Sequence, residues 1–158
     1  MVPRLPGHGA VPYLYDTATR QLVEARPLAV AGLYVCGITP YDATHIGHAA
    51  TYLAYDILIR LWLDAGYDVR YVQNTTDVDD PLLERAAATG VDWRTLAAEQ
   101  TELFRRDMEN LGVIPPNHYV AATEMIAQVS HSVRRLLDRG TAYRVDEDIY
   151  FDIAAAAA

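Results

Sequence analysis

The sequence predicts an α/β fold, and three neighbouring segments carry that prediction. Residues 33–36 are a short apolar run typical of a buried strand. Residues 49–65 repeat apolar side chains at helical spacing up to Gly66, and residues 68–73 have the pattern of a second strand. A strand, a helix and a strand of these lengths form a parallel pair with a right-handed crossover. The chain of 158 residues is long enough for one domain with a core of its own.

The N-terminal segment is punctuated by proline and glycine. Residues 1–12 hold five such residues, which predicts an arm without regular structure. Residues 13–16 predict a short strand, and residues 17–20 a turn. Along the first long helix, at residues 49–65, the apolar positions at helical spacing are Tyr52, Leu53, Ile57, Leu61 and Trp62.

Two further helices follow the second strand. Asp80 is predicted to be an N-cap with Pro81 at the first helical position, and Gly90 ends that helix. Asp92 is predicted to cap a longer helix that runs through Leu111. One face of the longer helix is marked by Trp93, Leu96, Ala97, Leu103, Phe104 and Leu111.

The last part of the chain predicts one more helix and a pair of strands. The helix covers residues 124–139 and ends at Gly140, and residues 142–153 predict a hairpin around residues 146–148. The side chains predicted to face inward from this helix are Met125, Ile126, Val129, Val133, Leu136 and Leu137. Residues 154–158 are all alanine, a tail that we do not expect in a natural enzyme.

Composition narrows the class of protein. Hydrophobic residues make up 51% and charged residues 22%, which is ordinary for a globular protein, and the net charge of -8 argues against a large nucleic-acid surface. One cysteine excludes an internal disulfide and gives no support to secretion. The sequence has neither a run of 18 apolar residues nor the layout of a signal peptide at its start. We therefore expect a cytoplasmic protein without a membrane segment.

The most informative stretch is residues 33–48, with the sequence LYVCGITPYDATHIGH. A strand there leads through a turn into a helix, whose first N–H groups and positive dipole end favour phosphate. Gly47 allows close approach to the backbone, and the imidazoles of His45 and His48 can donate to phosphate oxygens. The alternative is that the two histidines are simple helix caps or surface residues.

The tetrad His45-Ile46-Gly47-His48 resembles the ATP signature of class I aminoacyl-tRNA synthetases. Cys36, with the glycine and threonine that follow it, narrows the resemblance to the cysteine-activating branch. That branch contains cysteine–tRNA ligases and the cysteine ligases of mycothiol biosynthesis. The second group is favoured by Ala50, which stands where the tRNA ligases usually have arginine. A second block of the same family is similar to residues 71–80, YVQNTTDVDD.

The resemblance covers roughly residues 30–153 and implies a Rossmann-like nucleotide-binding domain of class I synthetase type, incomplete on its C-terminal side. It divides the chain into an arm with short strands at residues 1–29, the first part of the catalytic domain at residues 30–153, and the alanine tail at residues 154–158. We expect a truncated chain, and a monomer when the protein is full length.

The resemblance also implies roles for individual residues. Cys36 matches a zinc ligand that lets the metal grip the substrate thiol; the other zinc ligands of the family lie beyond this chain, and from position alone Cys36 is a small buried core residue. His45 and His48 match the groups that stabilise charge on the phosphates. ATP contacts are implied for Gly47, His45, His48, Thr39, Thr51, Asn74, Thr75 and Thr76. Contacts to cysteinyl adenylate are implied for Cys36, Gly37, Ile38, Thr39, Thr51, Asn74, Thr75 and Thr76.

Two of these assignments have a plainer alternative. Thr75 and Thr76 are also typical strand-end and turn residues. Asp77, Asp79 and Asp80 could suggest magnesium, but we interpret them as capping and solvent-exposed residues, and expect Mg²⁺ to arrive with ATP.

The implied reaction has two steps. ATP and L-cysteine give cysteinyl adenylate, and the amine of glucosaminyl-inositol then attacks it to give an amide and AMP. One alternative is cysteine–tRNA ligase, in which a ribose hydroxyl of tRNA attacks the adenylate. Ala50 and the net charge of -8 argue against tRNA as a partner. Another is a non-catalytic fragment that binds a nucleotide or a partner, because the sequence has no lysine for the loop that the family uses on pyrophosphate.

Overall fold

The computed structural model describes residues 9–157, which fall into two compact units divided after Ala121, residues 9–121 and residues 122–157. The first unit contains a β-hairpin, a three-stranded parallel sheet and three helices. Its elements in chain order are β1 (Tyr13–Asp16), β2 (Gln21–Glu24), β3 (Val30–Val35), α1 (Ile46–Asp64), β4 (Asp68–Thr75), α2 (Asp80–Thr89), α3 (Trp93–Asn110) and β5 (His118–Ala121). The N-terminal arm was predicted for residues 1–12; residues 9–12 lack regular structure, and residues 1–8 lie outside the described residues.

The sheet has the order β3-β4-β5, with all three strands parallel. In the β3–β4 pair Val35 lies opposite Gln73, and in the β4–β5 pair Gln73 lies opposite Tyr119. The predicted parallel pair joined by a helix is confirmed. Neither β2 nor β5 was predicted: each has four residues, which is too short for a clear alternating pattern.

The main core lies between α1 and α3 on one side and a single face of the sheet on the other. Val35 and Tyr71 supply the sheet side, Tyr52 comes from α1, and Phe104 comes from α3. The rings of Tyr52 and Phe104 meet edge to face with centroids 4.9 Å apart, a favourable arrangement for aromatic pairs. The helices thereby hold the strand ends, where the candidate site lies, in a fixed arrangement.

The buried face of α1 differs in part from the predicted one. Tyr52 and Trp62 are buried as helical spacing suggests, but Ile57 is 58% exposed and Leu61 is also exposed. Leu58 and Ile59 take the inward positions instead. An apolar residue on every side of this helix left the inward face undetermined by spacing alone.

A buried carboxylate, Asp56, ties the middle of α1 to the connection between α3 and β5. Asp56 accepts from Arg60 Nε at 2.6 Å and from the Ile114 backbone N–H at 2.8 Å. Arg60 Nη2 donates to Gly112 O at 2.7 Å. Because each buried oxygen of Asp56 has a donor, the charge is compensated where it lies.

Two helix starts differ from the prediction. α1 begins three residues earlier than expected, since His45 rather than a later residue is its N-cap. α2 is capped by Asp79, whose backbone is extended, and Asp80 is already helical; the predicted N-cap Asp80 is wrong. Pro81 then lies at the second helical position, which is tolerated because amides of the first turn have no partner within the helix. The N-cap Asp92 and the left-handed Gly90 are confirmed.

The second unit holds a 3₁₀ turn (Thr123–Met125), α4 (Ile126–Asp138), a hairpin of β6 (Ala142–Val145) and β7 (Asp148–Phe151), and a four-residue helix, α5 (Ile153–Ala156). The predicted helix and hairpin are confirmed. The inward position of Ile126 and Val129 is wrong, because both are more than half exposed; α4 packs against β6 of the hairpin and against the 3₁₀ turn that precedes it.

Candidate active site at the ends of the parallel strands

An open cleft lies where β3 passes into α1. It has a volume of about 320 Å³ and is lined by Gly37, Ile38, Thr39, Tyr41, Asp42, Ala43, His45 and His48. Five of these residues, Gly37, Ile38, Thr39, His45 and His48, are predicted site residues. The cleft is at the carboxyl end of a parallel strand and beside a helix N-terminus, the place where open α/β sheets bind ligands.

The two histidines of the cleft hold the first turn of α1 through their rings. His45 Nδ1 accepts the Gly47 N–H at 3.1 Å, and His48 Nδ1 accepts the His45 N–H at 3.4 Å. The rings stack with centroids 4.0 Å apart. A neutral imidazole whose Nδ1 accepts a hydrogen bond carries its proton on Nε2. Each ring therefore keeps one N–H that the helix does not use.

The neutral state of His48 is favoured by its surroundings. Partial burial lowers the pKa of His48 below its ordinary value of 6.5, and the charge of His45 lowers it further. Near neutral pH His48 is thus a neutral hydrogen-bond donor through Nε2 and not a cation.

Gly47 is required by the ring of His45. A side chain at position 47 would place Cβ 2.9 Å from His45 Cε1 and 3.0 Å from Nδ1. The sequence predicted that N–H groups of this first turn bind phosphate, but the Gly47 N–H instead donates to His45. Thr51 lies outside the cleft, exposed on α1, and donates from its hydroxyl to Gly47 O at 3.0 Å.

Cys36 is the first residue after β3 and its side chain is exposed. The alternative of a buried core cysteine is therefore wrong. Tyr52 Oη donates to the Cys36 carbonyl at 3.2 Å, and the Gly37 N–H donates to Asn74 Oδ1 at 3.0 Å. A side chain at Gly37 would collide with the backbone carbonyl of Asn74, so only glycine fits.

The end of β4 adjoins the cleft through hydrogen bonds rather than lining it. Besides the bond to Gly37, Asn74 Nδ2 donates to Thr76 Oγ1 at 3.4 Å, and the Thr76 N–H donates to Ile38 O at 2.9 Å. Thr75 is only 5% exposed and does not line the cleft. The structure thus brings Asn74 and Thr76 to the predicted place and leaves Thr75 within the fold.

Zinc and magnesium are the two metals that the family resemblance implies, and a site built from protein side chains needs several of them close together. Among residues 9–157, no group of three or more His, Cys, Asp or Glu side chains is placed to hold a metal ion. Zinc in a structural or catalytic site takes at least three protein ligands. Cys36 can supply one exposed thiolate, so the described residues do not by themselves fit a zinc ion.

Sequence reasoning missed five residues around the cleft. Tyr41, Asp42 and Ala43 line it, and the signal for them was the turn-rich composition of the same segment. Tyr34, from β3, and Tyr52, from α1, donate hydroxyl hydrogen bonds to Asn74 and Cys36, which lie next to the cleft. Both have the apolar spacing of packing residues, and nothing local in the sequence marks them.

A comparison with protein families identifies the domain in which this cleft lies. The family model described as the tRNA synthetases class I (C) catalytic domain matches residues 23–158. The chain belongs to this family. The parallel sheet and the cleft at its carboxyl edge are the part of the class I synthetase fold that the chain contains.

Two curated relatives of the chain carry the same name. The chain is 61% identical over 155 residues to the L-cysteine:1D-myo-inositol 2-amino-2-deoxy-alpha-D-glucopyranoside ligase of Thermobispora bispora, covering 98% of this chain and 38% of that protein. It is 59% identical over 173 residues to the protein of the same name from Kocuria rhizophila, covering 99% and 39%. The chain spans about two fifths of the length of these curated relatives.

Solved structures of class I synthetases share the fold. Mycobacterium tuberculosis methionyl-tRNA synthetase in complex with methionyl-adenylate has a TM-score of 0.63 at 28% identity, covering 72% of this chain and 23% of that one. The ternary complex of Agrobacterium radiobacter K84 agnB2 LeuRS with tRNA and LeuAMS has a TM-score of 0.66 at 22% identity, covering 77% and 16%. Within the described part of this class I domain, none of the helices has the length and apolar character needed to cross a membrane.

Proposed function

We propose that this chain carries the nucleotide-binding part of an ATP-dependent ligase that activates L-cysteine and joins it to the amine of glucosaminyl-inositol. The observation that carries the proposal is 61% identity over 155 residues to a relative named as the L-cysteine:1D-myo-inositol 2-amino-2-deoxy-alpha-D-glucopyranoside ligase. The cleft supports it, because two helix-terminal imidazoles line it and the exposed Cys36 thiol belongs to the residue just before Gly37 of its wall.

The first step is attack of the cysteine carboxylate on the α-phosphorus of ATP, which forms cysteinyl adenylate and releases pyrophosphate. Negative charge develops on the phosphate oxygens during this step. The Nε2–H groups of His45 and His48, which the first turn of α1 does not use, can donate to these oxygens and stabilise that charge. Fixed donors of this kind are worth about 2.7–4 kcal/mol of barrier each.

The second step is attack of the amine on the activated carbonyl, which gives an amide and AMP. Thr39, inside the cleft, and Thr76, beside it, are the hydroxyls we assign to the aminoacyl part. We assign no direct contact to Thr75, since it is buried, and we place Thr51 at the edge of the nucleotide. Zinc enters the proposal only as an ion for which Cys36 supplies one thiolate, with its other ligands outside the described residues.

Cysteine–tRNA ligase and a non-catalytic fragment are not favoured by the names of the relatives. Ala50 and the net charge of -8 support a small amine acceptor rather than tRNA. We also propose that Mg²⁺ accompanies ATP, that the full-length protein is a monomer, and that it works in the cytoplasm.

The proposal is tested with the full-length protein by exchange of labelled pyrophosphate into ATP. We expect exchange with cysteine and none with serine, followed by amide formation with glucosaminyl-inositol. Equal exchange with serine contradicts the role of the thiol, and efficient charging of cysteine tRNA in place of amide formation contradicts the acceptor. Cys36→Ser is expected to lower zinc content and raise the cysteine concentration needed; unchanged zinc content excludes Cys36 as a ligand.

A further inference from the structure

One peptide group in the cleft wall is bound at both of its polar ends by side chains. The Cys36 carbonyl and the Gly37 N–H belong to the same peptide plane. Tyr52 Oη, from α1, donates to the carbonyl at 3.2 Å, and Asn74 Oδ1, from β4, accepts the N–H at 3.0 Å. Carbonyl and N–H point in opposite directions across a trans peptide, so the two contacts hold the plane from opposite sides.

The regular ladder between β3 and β4 ends just before this peptide, and the next backbone hydrogen bond between the two segments comes three residues after Val35, at Ile38. The last paired residue of β3 is Val35, opposite Gln73. The next backbone bond between the two segments runs from the Thr76 N–H to Ile38 O at 2.9 Å. The intervening peptide therefore depends on side chains for the hydrogen bonds that strand pairing supplies elsewhere.

The amide of Asn74 is itself held in one orientation. Tyr34 Oη donates to Asn74 Oδ1 at 3.0 Å, beside the Gly37 N–H on the same oxygen, and Asn74 Nδ2 faces Thr76 Oγ1 at 3.4 Å. A reversed amide would present its NH₂ group to the Gly37 N–H, which can only donate, so this contact fixes which end faces Gly37. Tyr34 comes from β3, two residues before Cys36.

The hydroxyl of Tyr52 is suited to act as a permanent donor. Tyr52 is 3% exposed, and burial raises its pKa above the usual range, with the charge of nearby Cys36 adding to the effect. Tyr34, in contrast, is 67% exposed, so water competes for its bond. The bond from Tyr52 is therefore expected to matter more than the bond from Tyr34.

We propose that Tyr52, Asn74 and Tyr34 form a peptide clamp, in which they are positioning residues that fix the Cys36–Gly37 peptide and, through it, the direction of the Cys36 thiol. The clamp itself does not depend on the proposed function; only the role of the Cys36 thiol as a ligand rests on it. The clamp deepens that function, because a thiol held in one direction at the cleft can meet its ligand or substrate without a search over rotated backbones.

The first test is hydrogen exchange of the Gly37 amide, followed by NMR on the 158-residue chain. Asn74→Leu removes the acceptor and is expected to speed exchange by tenfold or more. Asn74→Asp keeps an acceptor oxygen and is expected to return exchange to within about threefold of the wild type. A role in packing alone predicts that the leucine and aspartate variants change together.

The second test removes single hydroxyls. Tyr52→Phe is expected to speed Gly37 exchange by about five- to tenfold and Tyr34→Phe by about twofold, the range of one net hydrogen bond. Tyr15→Phe is the matched control, since Tyr15 is 63% exposed on β1 and away from the cleft, and it is expected to change nothing. Exchange of the Phe104 amide in α3 reports whether each variant is folded.

The chain has one cysteine, so the rate of maleimide labelling reports Cys36 alone. We expect the labelling rate to increase in the same order as the exchange rate: most in Asn74→Leu, less in Tyr52→Phe and least in Tyr34→Phe. The clamp is overturned if the three variants match Tyr15→Phe in both measurements. Neither readout involves ATP, cysteine or an acceptor, so a failed clamp and a failed ligase assignment give separate results.

Discussion

Replacing Gly37 by alanine tests the closest backbone approach in the site. An added Cβ would fall inside the carbonyl oxygen of Asn74 and 2.7 Å from its carbonyl carbon, whereas ordinary contact begins at 3.4 Å. The two backbones must therefore part by about 1 Å or more, which takes hydrogen bonds of 2.9–3.0 Å out of range.

The expected cost follows from what that separation breaks. Two hydrogen bonds are lost, from Gly37 to Asn74 and from Thr76 to Ile38, at about 1 kcal/mol each, and the overpacked contact adds about 1–3 kcal/mol. We expect Gly37→Ala to lower the free energy of unfolding by about 3–5 kcal/mol, and the chain to unfold at a clearly lower urea concentration.

The matched control, Gly32, lies in β3, the strand that ends at Val35 just before Gly37. A Cβ at Gly32 meets nothing within 4 Å, so Gly32→Ala is expected to be neutral or to stabilise the strand by up to about 1 kcal/mol. Urea unfolding followed by far-UV circular dichroism measures both variants. If Gly37→Ala and Gly32→Ala unfold at the same urea concentration, the close approach does not constrain this turn and the reasoning is wrong.

Three further outcomes are expected. Gly47→Ala displaces the His45 ring from the Gly47 N–H and lowers the free energy of unfolding by about 1 kcal/mol, the value of a helix N-cap; an unchanged urea midpoint argues against it. The pKa of His48 is lowered in the folded state, so its stabilising effect is complete above pH 6.5 and is lost as the pH falls through the lowered pKa. The free energy of unfolding should therefore fall less in His48→Gln than in the wild type between pH 7.5 and pH 5.5. An equal fall in both proteins contradicts this. Residues 1–158 alone should show negligible ATP–pyrophosphate exchange beside the full-length protein, because catalysis needs all of its groups placed together; comparable turnover shows that the chain is a complete enzyme.

The parts of the fold predicted from sequence are those with long, regular patterns. The crossover from β3 through α1 to β4 and the helix capped by Asp92 follow from apolar periodicity and capping residues. Short elements such as β5 gave no usable period. The N-cap of α2 could not be chosen from sequence, because Asp79 and Asp80 are both able to cap and only the extended backbone at Asp79 decides.

The site divides in the same way. Five of the eight cleft residues between Gly37 and His48 were found because they lie together in the chain, where a strand precedes a helix; Tyr41, Asp42 and Ala43 of the same segment were missed. The contacts from Tyr34 and Tyr52 join residues 40 and 16 positions apart, and such pairings depend on the tertiary fold. The use of Nδ1 by both histidines depends on ring orientation, which the residue type does not specify.

The anchoring of α1 at Asp56 has a mechanical consequence. From Asp56 to His45 the helix runs about 16 Å at 1.5 Å per residue. A rotation of α1 about the Asp56–Ile114 contact therefore moves its N-terminal end by an amount proportional to that length. A tilt of about 5° at that contact moves the imidazoles by about 1.4 Å, and displacements of that size can cost about a hundredfold in rate. A substitution in the loop around Ile114 is thereby expected to shift the end of the cleft that His45 and His48 form, by an amount set by the length of the helix.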